Sequence, residues 1–170
     1  MTQEEKNNMV VQKWEELVCA LSAAGYTTDP RKFREVVASI QTGCRPSKKK
    51  SGADCYYGNP GPKEKKAERK STFDSTIKGS YTGVSKFQTW KEQEKHLEEK
   101  IKGVDRHYFD KFCRHTGILL ESYYLSSDKI YDIVVPQVKK QFEDTSPKKD
   151  PRPSGTVNMT IIKKYGVKVF

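Results

Sequence analysis

Between residues 9 and 24 the apolar side chains Val10, Trp14, Leu17, Val18 and Leu21 recur at three- and four-residue spacing, and Gly25 stands where a helix would stop. The spacing predicts an amphipathic helix. After the turn Tyr26-Thr-Thr-Asp-Pro30, Asp29 can cap and Pro30 can open a second helix, with Phe33, Val36, Val37 and Ile40 on one face before Gly43. Residues 1–43 are therefore expected to form an N-terminal helical hairpin. Its second helix offers Arg31, Lys32, Arg34 and Gln41 but no cluster of Asn, Gln and Arg on one outward face, which favours a plain hairpin over a groove-reading helix-turn-helix.

The periodicity then lapses. From Cys44 to Lys70, nine Lys or Arg against three Asp or Glu leave a charge of +6, and Gly58-Asn-Pro-Gly-Pro62 is a turn cluster. With the segment STFDSTIKGSYTGVSKFQ behind it, the region 44–88 is expected to be a basic extended arm. Residues 89–103 predict a charged surface helix, anchored only by Trp90, Leu97 and Ile101.

Better patterning returns over 104–170. Val104, Tyr108, Phe109 and Phe112 suggest a short helix ending near Gly117, and Ile118 to Leu120 form a small apolar run. Ser126 or Ser127 can cap a helix carrying Ile130, Ile133, Val134 and Val138, in which Pro136 removes one backbone donor. A polar loop from Glu143 to Gly155 leads to Thr156-Val-Asn-Met-Thr-Ile-Ile, where Val157 is expected to pair with Ile118 to Leu120.

Composition sharpens the picture. The chain has 170 residues, of which 34% are apolar and 32% charged, with a net charge of +10 and a mean hydropathy of -0.85. A small core and an acidic partner are expected. No basic start precedes an apolar run and no segment nears the roughly 18 apolar residues of a membrane span, so a cytoplasmic protein with no membrane partner is expected. Cys19, Cys44, Cys55 and Cys113 form no CxxC pair and are expected as free thiols.

Tests for chemistry return little. The frame from Asp150 to Ile161 has the acid, glycine and apolar positions of a calcium loop, but Arg152 and Ile161 stand where oxygen ligands are needed. His107, Cys113 and His115 would point apart on a helix and find no fourth ligand. No phosphate loop, nucleophile elbow or convincing carboxylate pair emerges. The expectation is a non-enzymatic protein without cofactor, metal or small-molecule substrate.

Three segments, Phe109 to Leu119, Leu125 to Lys139 and Ser154 to Thr160, resemble in that order the core of the tubulin polymerization-promoting protein family. Asp74 to Lys86, with Tyr81, Thr82, Gly83, Lys86 and Phe87, resembles the family's flexible Tyr-Thr-Gly signature, here placed before the core instead of after it. The resemblance implies a fold similar to degenerate EF-hands. The expected architecture is thus mainly α, a small helical bundle with an EF-hand-like helix–loop–helix pair plus the basic arm.

The resemblance also implies a microtubule-associated structural protein that binds tubulin and stabilises or bundles microtubules, in the cytoplasm or in cilia and flagella. Tyr81, Thr82, Gly83, Lys86 and Phe87 would be the docking strip, and Lys48, Lys49, Lys50, Lys63, Lys65 and Lys66 would supply attraction to acidic tubulin. The alternative is an RNA- or DNA-binding protein, including a viral one, using the same arm with Tyr56, Tyr57, Tyr81 and Trp90 as stacking groups.

Overall fold

The supposed basic arm is the origin of a β-sheet. In the computed structural model, which describes residues 1–26, 28–48, 52–73, 76–82, 87–144 and 152–170, the arm holds four strands. These are β1 (Arg45–Pro46), β2 (Cys55–Tyr57), β3 (Lys65–Thr72) and β4 (Gly79–Thr82). Downstream come β5 (Arg106–Phe112), β6 (Leu119–Ser126), β7 (Ser154–Val157) and β8 (Val167–Lys168). Five helices accompany them among the described residues: α1 (Gln3–Ala23), α2 (Pro30–Gln41), α3 (Trp90–Lys102), α4 (Ser127–Glu143) and α5 (Met159–Tyr165). The expectation of a mainly α bundle with an EF-hand-like pair and an extended arm is overturned by a six-stranded sheet of order β1-β2-β3-β5-β6-β8 and a two-stranded sheet β4-β7.

The arm folds because its charges alternate. Within β3, Ala67 and Arg69 turn inward and are buried, while Glu68 and Lys70 face the other way and are only half-buried. Arg69 tolerates complete burial because Asp110 of β5 meets it with two hydrogen bonds, Nε to Oδ2 and Nη2 to Oδ1, both 2.8 Å. Ser122 of β6 completes the pairing by donating to Asp110 Oδ1 at 2.6 Å. A strand rich in Lys and Arg thus becomes central in the sheet.

β3 and β5 run parallel, with Glu68 opposite His107 and Lys70 opposite Phe109, and α3 lies in the connection between them. The short helix expected over Val104 to Gly117 is strand β5. Both faces of β5 are buried, so its apolar residues do not alternate cleanly with polar ones and their spacing imitates a helix. His107 and Phe109 face one layer; Tyr108, Asp110 and Phe112 face the other.

The larger core lies between the first face and the helices. Leu97 and Ile101 of α3, with Ile130, Val134 and Val138 of α4, close over Phe109, Tyr123 and Leu125. Ile77, Tyr81, Val157 and Ile162 fill the rim. On the opposite face Cys44, Cys55, Ala67 and Tyr108 form one cluster, and Ala38 of α2 packs with Phe112 and Leu119 in another.

The expected pairing of Val157 with Ile118 to Leu120 does not form, because β7 pairs with β4, Val157 opposite Gly79 and Gly155 opposite Tyr81. The outer edge of β7 is clamped by α4. Gln137 and Gln141 each donate to and accept from the backbone of one residue, Thr156 and Ser154 respectively, at 2.7–3.1 Å. Helix α4 starts at the expected cap, Ser126, and continues through Pro136. Helix α1 forms too, but only Leu21 is buried on it, and Trp14 touches α2 through Phe33 with ring centroids 5.4 Å apart. No helix among the described residues is long and apolar enough to cross a membrane.

Candidate active site

Where β2 begins, Asp54 is tied to β3 on both sides of Glu68. Its N–H donates to Ala67 O at 3.0 Å, and its Oδ2 accepts the Arg69 N–H at 2.8 Å. Oδ1 accepts from Lys32 Nζ of α2 at 3.0 Å, and the same ammonium meets Glu35 Oε2 at 2.6 Å. Glu68 receives Lys70 Nζ on Oε1 at 2.6 Å. Glu35 and Glu68 both feel the negative charge of Asp54, so three carboxylates, from α2, the approach to β2 and β3, lie together, with Lys32 bridging Glu35 and Asp54 and Lys70 on Glu68.

Crowding shows in their proton affinities. Burial, and then the negative charge of Asp54, push the Glu35 carboxyl up to about 7 although Lys32 pulls the other way. Glu68 is raised for the same reasons, with Lys70 opposing. Burial works against the Lys32 ammonium, but the hydrogen bonds it donates to Glu35 and Asp54 outweigh that and raise its pKa. The cluster holds more negative charge than its lysines neutralise comfortably.

Glu68 also lines a cleft of about 380 Å³, together with Gly52, Tyr56, Lys66, Glu99 and Lys100. Burial, and then the positive charge of Lys70, lower the pKa of Lys100. The cleft thus carries two carboxylates, Glu68 and Glu99, and two ammonium groups, Lys66 and Lys100, an arrangement suited to an anion that brings a cation with it.

Hard, partly buried oxygen donors with raised proton affinity are the donor set that magnesium or manganese takes. Among the described residues no three His, Cys, Asp or Glu side chains already surround a common metal position. In the arrangement seen, Lys32 and Lys70 supply the countercharge, and Glu35 and Glu68 would have to turn from them to meet an ion at Asp54. The donor chemistry fits.

The residues expected to bind a partner are dispersed. Tyr81 is in the core, its ring edge-on to His107 at 5.3 Å and its hydroxyl without a hydrogen-bond partner among the described residues. Thr82 ends β4, opposite Ser154. Gly83 and Lys86 lie outside the described residues, as do Lys49 and Lys50. Phe87 is half-buried against His96 at 5.3 Å. Lys48 is exposed near Tyr26, and Lys63 and Lys65 are exposed around the start of β3. Only Lys66 reaches the cleft.

Glu35, Asp54, Glu68 and Lys70 were missed because they are distant in the chain and lie in stretches that look merely solvated. A period-two reading of Lys65 to Thr72, with Ala67 and Arg69 inside and Glu68 and Lys70 outside, would have found the strand and two groups of the cluster. Comparison with protein-family models, curated proteins and solved structures finds no match to this chain.

Proposed function

We propose that this chain is a divalent-metal-dependent phosphodiesterase acting on nucleic acid. The observation that carries the reading is Asp54 held between Glu35 and Glu68, with Lys70 on Glu68 and a cleft at the same point into which Lys66 and Lys100 reach. Nucleic acid was the alternative partner expected from the sequence. The tubulin reading drew its anchor from Tyr81, whose ring is occupied in the core.

Glu35, Asp54 and Glu68 would hold the ion. When bound, it supplies a Lewis acid for a phosphoryl oxygen and lowers the pKa of water. The backbone N–H of Arg69 and the Ala67 carbonyl keep Asp54 from rotating away. Lys70, fixed by Glu68, places an ammonium proton beside the reacting phosphate and stabilises the negative charge that grows on it. Lys66 and Lys100 position neighbouring phosphates from the cleft, while the Tyr81 ring lies beside the Lys70 ammonium at 5.6 Å. The remaining positive charge of the β1–β3 region attracts the polyanion at long range.

The test is incubation of the purified chain with supercoiled, linear and single-stranded DNA and with RNA, in magnesium or manganese and in EDTA. Metal-dependent cleavage lost in Asp54→Asn and Lys70→Met is expected. Absence of cleavage of every substrate, or an Asp54→Asn variant as active as the parent, overturns the reading.

A further inference from the structure

Behind the strand that begins beside Asp54, two cysteines meet. Cys44 follows the last turn of α2 and Cys55 opens β2; because Pro46 pairs with Cys55, Cys44 stands diagonally across from Cys55 on the same face of the sheet. Both belong to one buried cluster with Ala67 and Tyr108. Cys44 is 6% exposed and Cys55 not at all.

The surroundings are polar on one side and cationic. Cys44 Sγ lies 3.3 Å from Tyr108 Oη and 3.8 Å from Thr42 Oγ1. Arg69 Nη1 donates to Cys55 Sγ at 3.7 Å and to Thr42 Oγ1 at 3.1 Å. The Cys55 hydrogen bond, against burial and helped by Tyr108 and Thr42, holds the Cys44 thiol well below the usual range, at about 5. The other two cysteines are elsewhere, Cys19 exposed on α1 and Cys113 in the turn after β5. One sulfur is thus activated and slightly exposed, and a second, fully shielded, rests against it.

We propose that Cys44 and Cys55 form a dithiol site that reacts with hydrogen peroxide and closes to a disulfide, with Cys44 the attacking sulfur and Cys55 the resolving one. The Cys44 thiolate attacks one peroxide oxygen; the S–O bond forms, the O–O bond breaks, and the departing hydroxide takes a proton to become water. Cys44, oxidised by two electrons, is then a sulfenic acid. Cys55 Sγ attacks that sulfur, the S–S bond forms, the S–O bond breaks, and hydroxide leaves with the Cys55 thiol proton as a second water. Two thiols and one peroxide become one disulfide and two waters. A dithiol reductant reverses the bond by exchange. The inference does not depend on the phosphodiesterase reading.

The full chain is treated with limiting peroxide, denatured, alkylated and mapped by peptide mass. A Cys44–Cys55 cross-link is expected, formed at least about tenfold faster than any oxidation of Cys19 and reversed by dithiothreitol. In Cys55→Ser the reaction stops at a Cys44 sulfenic acid that dimedone traps. Should that variant fail to fold, the map of the parent chain still decides. Both thiols fully alkylated after treatment, separate sulfinic acids without a cross-link, or a bond to Cys19 or Cys113 instead would each overturn the proposal.

Discussion

The Asp54 carboxylate accepts the backbone N–H of Arg69 at 2.8 Å, and this one bond connects the two chemistries of β3. On one face of the strand Glu68 opens to the cleft and holds Lys70; on the other the Arg69 side chain is wholly buried against Asp110. Asp54 is therefore positioned by the same residue whose side chain anchors the sheet. Accuracy at the site is inherited from the core.

Replacing Asp54 by Asn keeps an oxygen to accept the Arg69 N–H, so stability should change by less than about 1 kcal/mol. Cleavage should fall on the order of a hundredfold, because the ion loses a charged ligand. Thermal melting and rate, measured on the same preparation, separate the two effects.

Magnesium should raise the melting temperature by mass action, by roughly 2.7 kcal/mol at a hundredfold excess over Kd. The ion needs Glu35 deprotonated, and that carboxyl sits at about 7, so binding should weaken as pH falls below 7 and release protons near it. Calorimetry in buffers of different ionisation enthalpy reads the proton release. A Glu35→Gln variant should lose it.

Removing Arg69 alone strands a buried carboxylate. Arg69→Met should destabilise the fold by about 3–5 kcal/mol, whereas Arg69→Met with Asp110→Leu should recover much of that loss, since burying neither charge costs less than burying one. Urea denaturation of the single and double variants checks the sign of the coupling.

Burial lowers the His107 pKa to about 4. Between that value and the unfolded imidazole's 6.5 the unfolded chain binds the extra proton, so this group's contribution to stability is present above about 6.5 and disappears as pH falls through 4. Glu35 acts in the opposite sense, favouring the fold at low pH and losing that contribution as pH rises towards 7. Glu35→Gln should therefore steepen the rise of stability with pH over this range, by on the order of 1 kcal/mol per pH unit at most. Melting temperatures at half-unit intervals read the slope.

The Tyr81 hydroxyl is buried without a partner, so Tyr81→Phe should be neutral or stabilising by up to about 1 kcal/mol, and Tyr81→Ala should cost roughly 3–5 kcal/mol. Were Tyr81 an exposed docking anchor, both substitutions would leave stability unchanged. Chemical denaturation distinguishes the two situations.

The local grammar of α1, α2, α3 and α4 was legible along the chain, because caps such as Ser126, breakers such as Gly25 and apolar spacing within a helix depend on neighbours only a few residues away. The net charge of +10 and the polyanionic class of partner it suits belong to the sequence as well. What only the tertiary structure decided is the strands β1 to β4 and the strands β5 and β6. Lys65 to Thr72 is a strand because Asp110, forty-one positions beyond Arg69, neutralises the one charge that must be buried. Likewise Phe109 is in a strand because α3, α4 and Tyr81 cover its face and Gly79 leaves room for its ring. Glu35, Asp54 and Glu68 meet for the same reason: sheet pairing closes loops whose partners no local pattern names, and a carboxylate acquires its chemistry from the charges packed beside it.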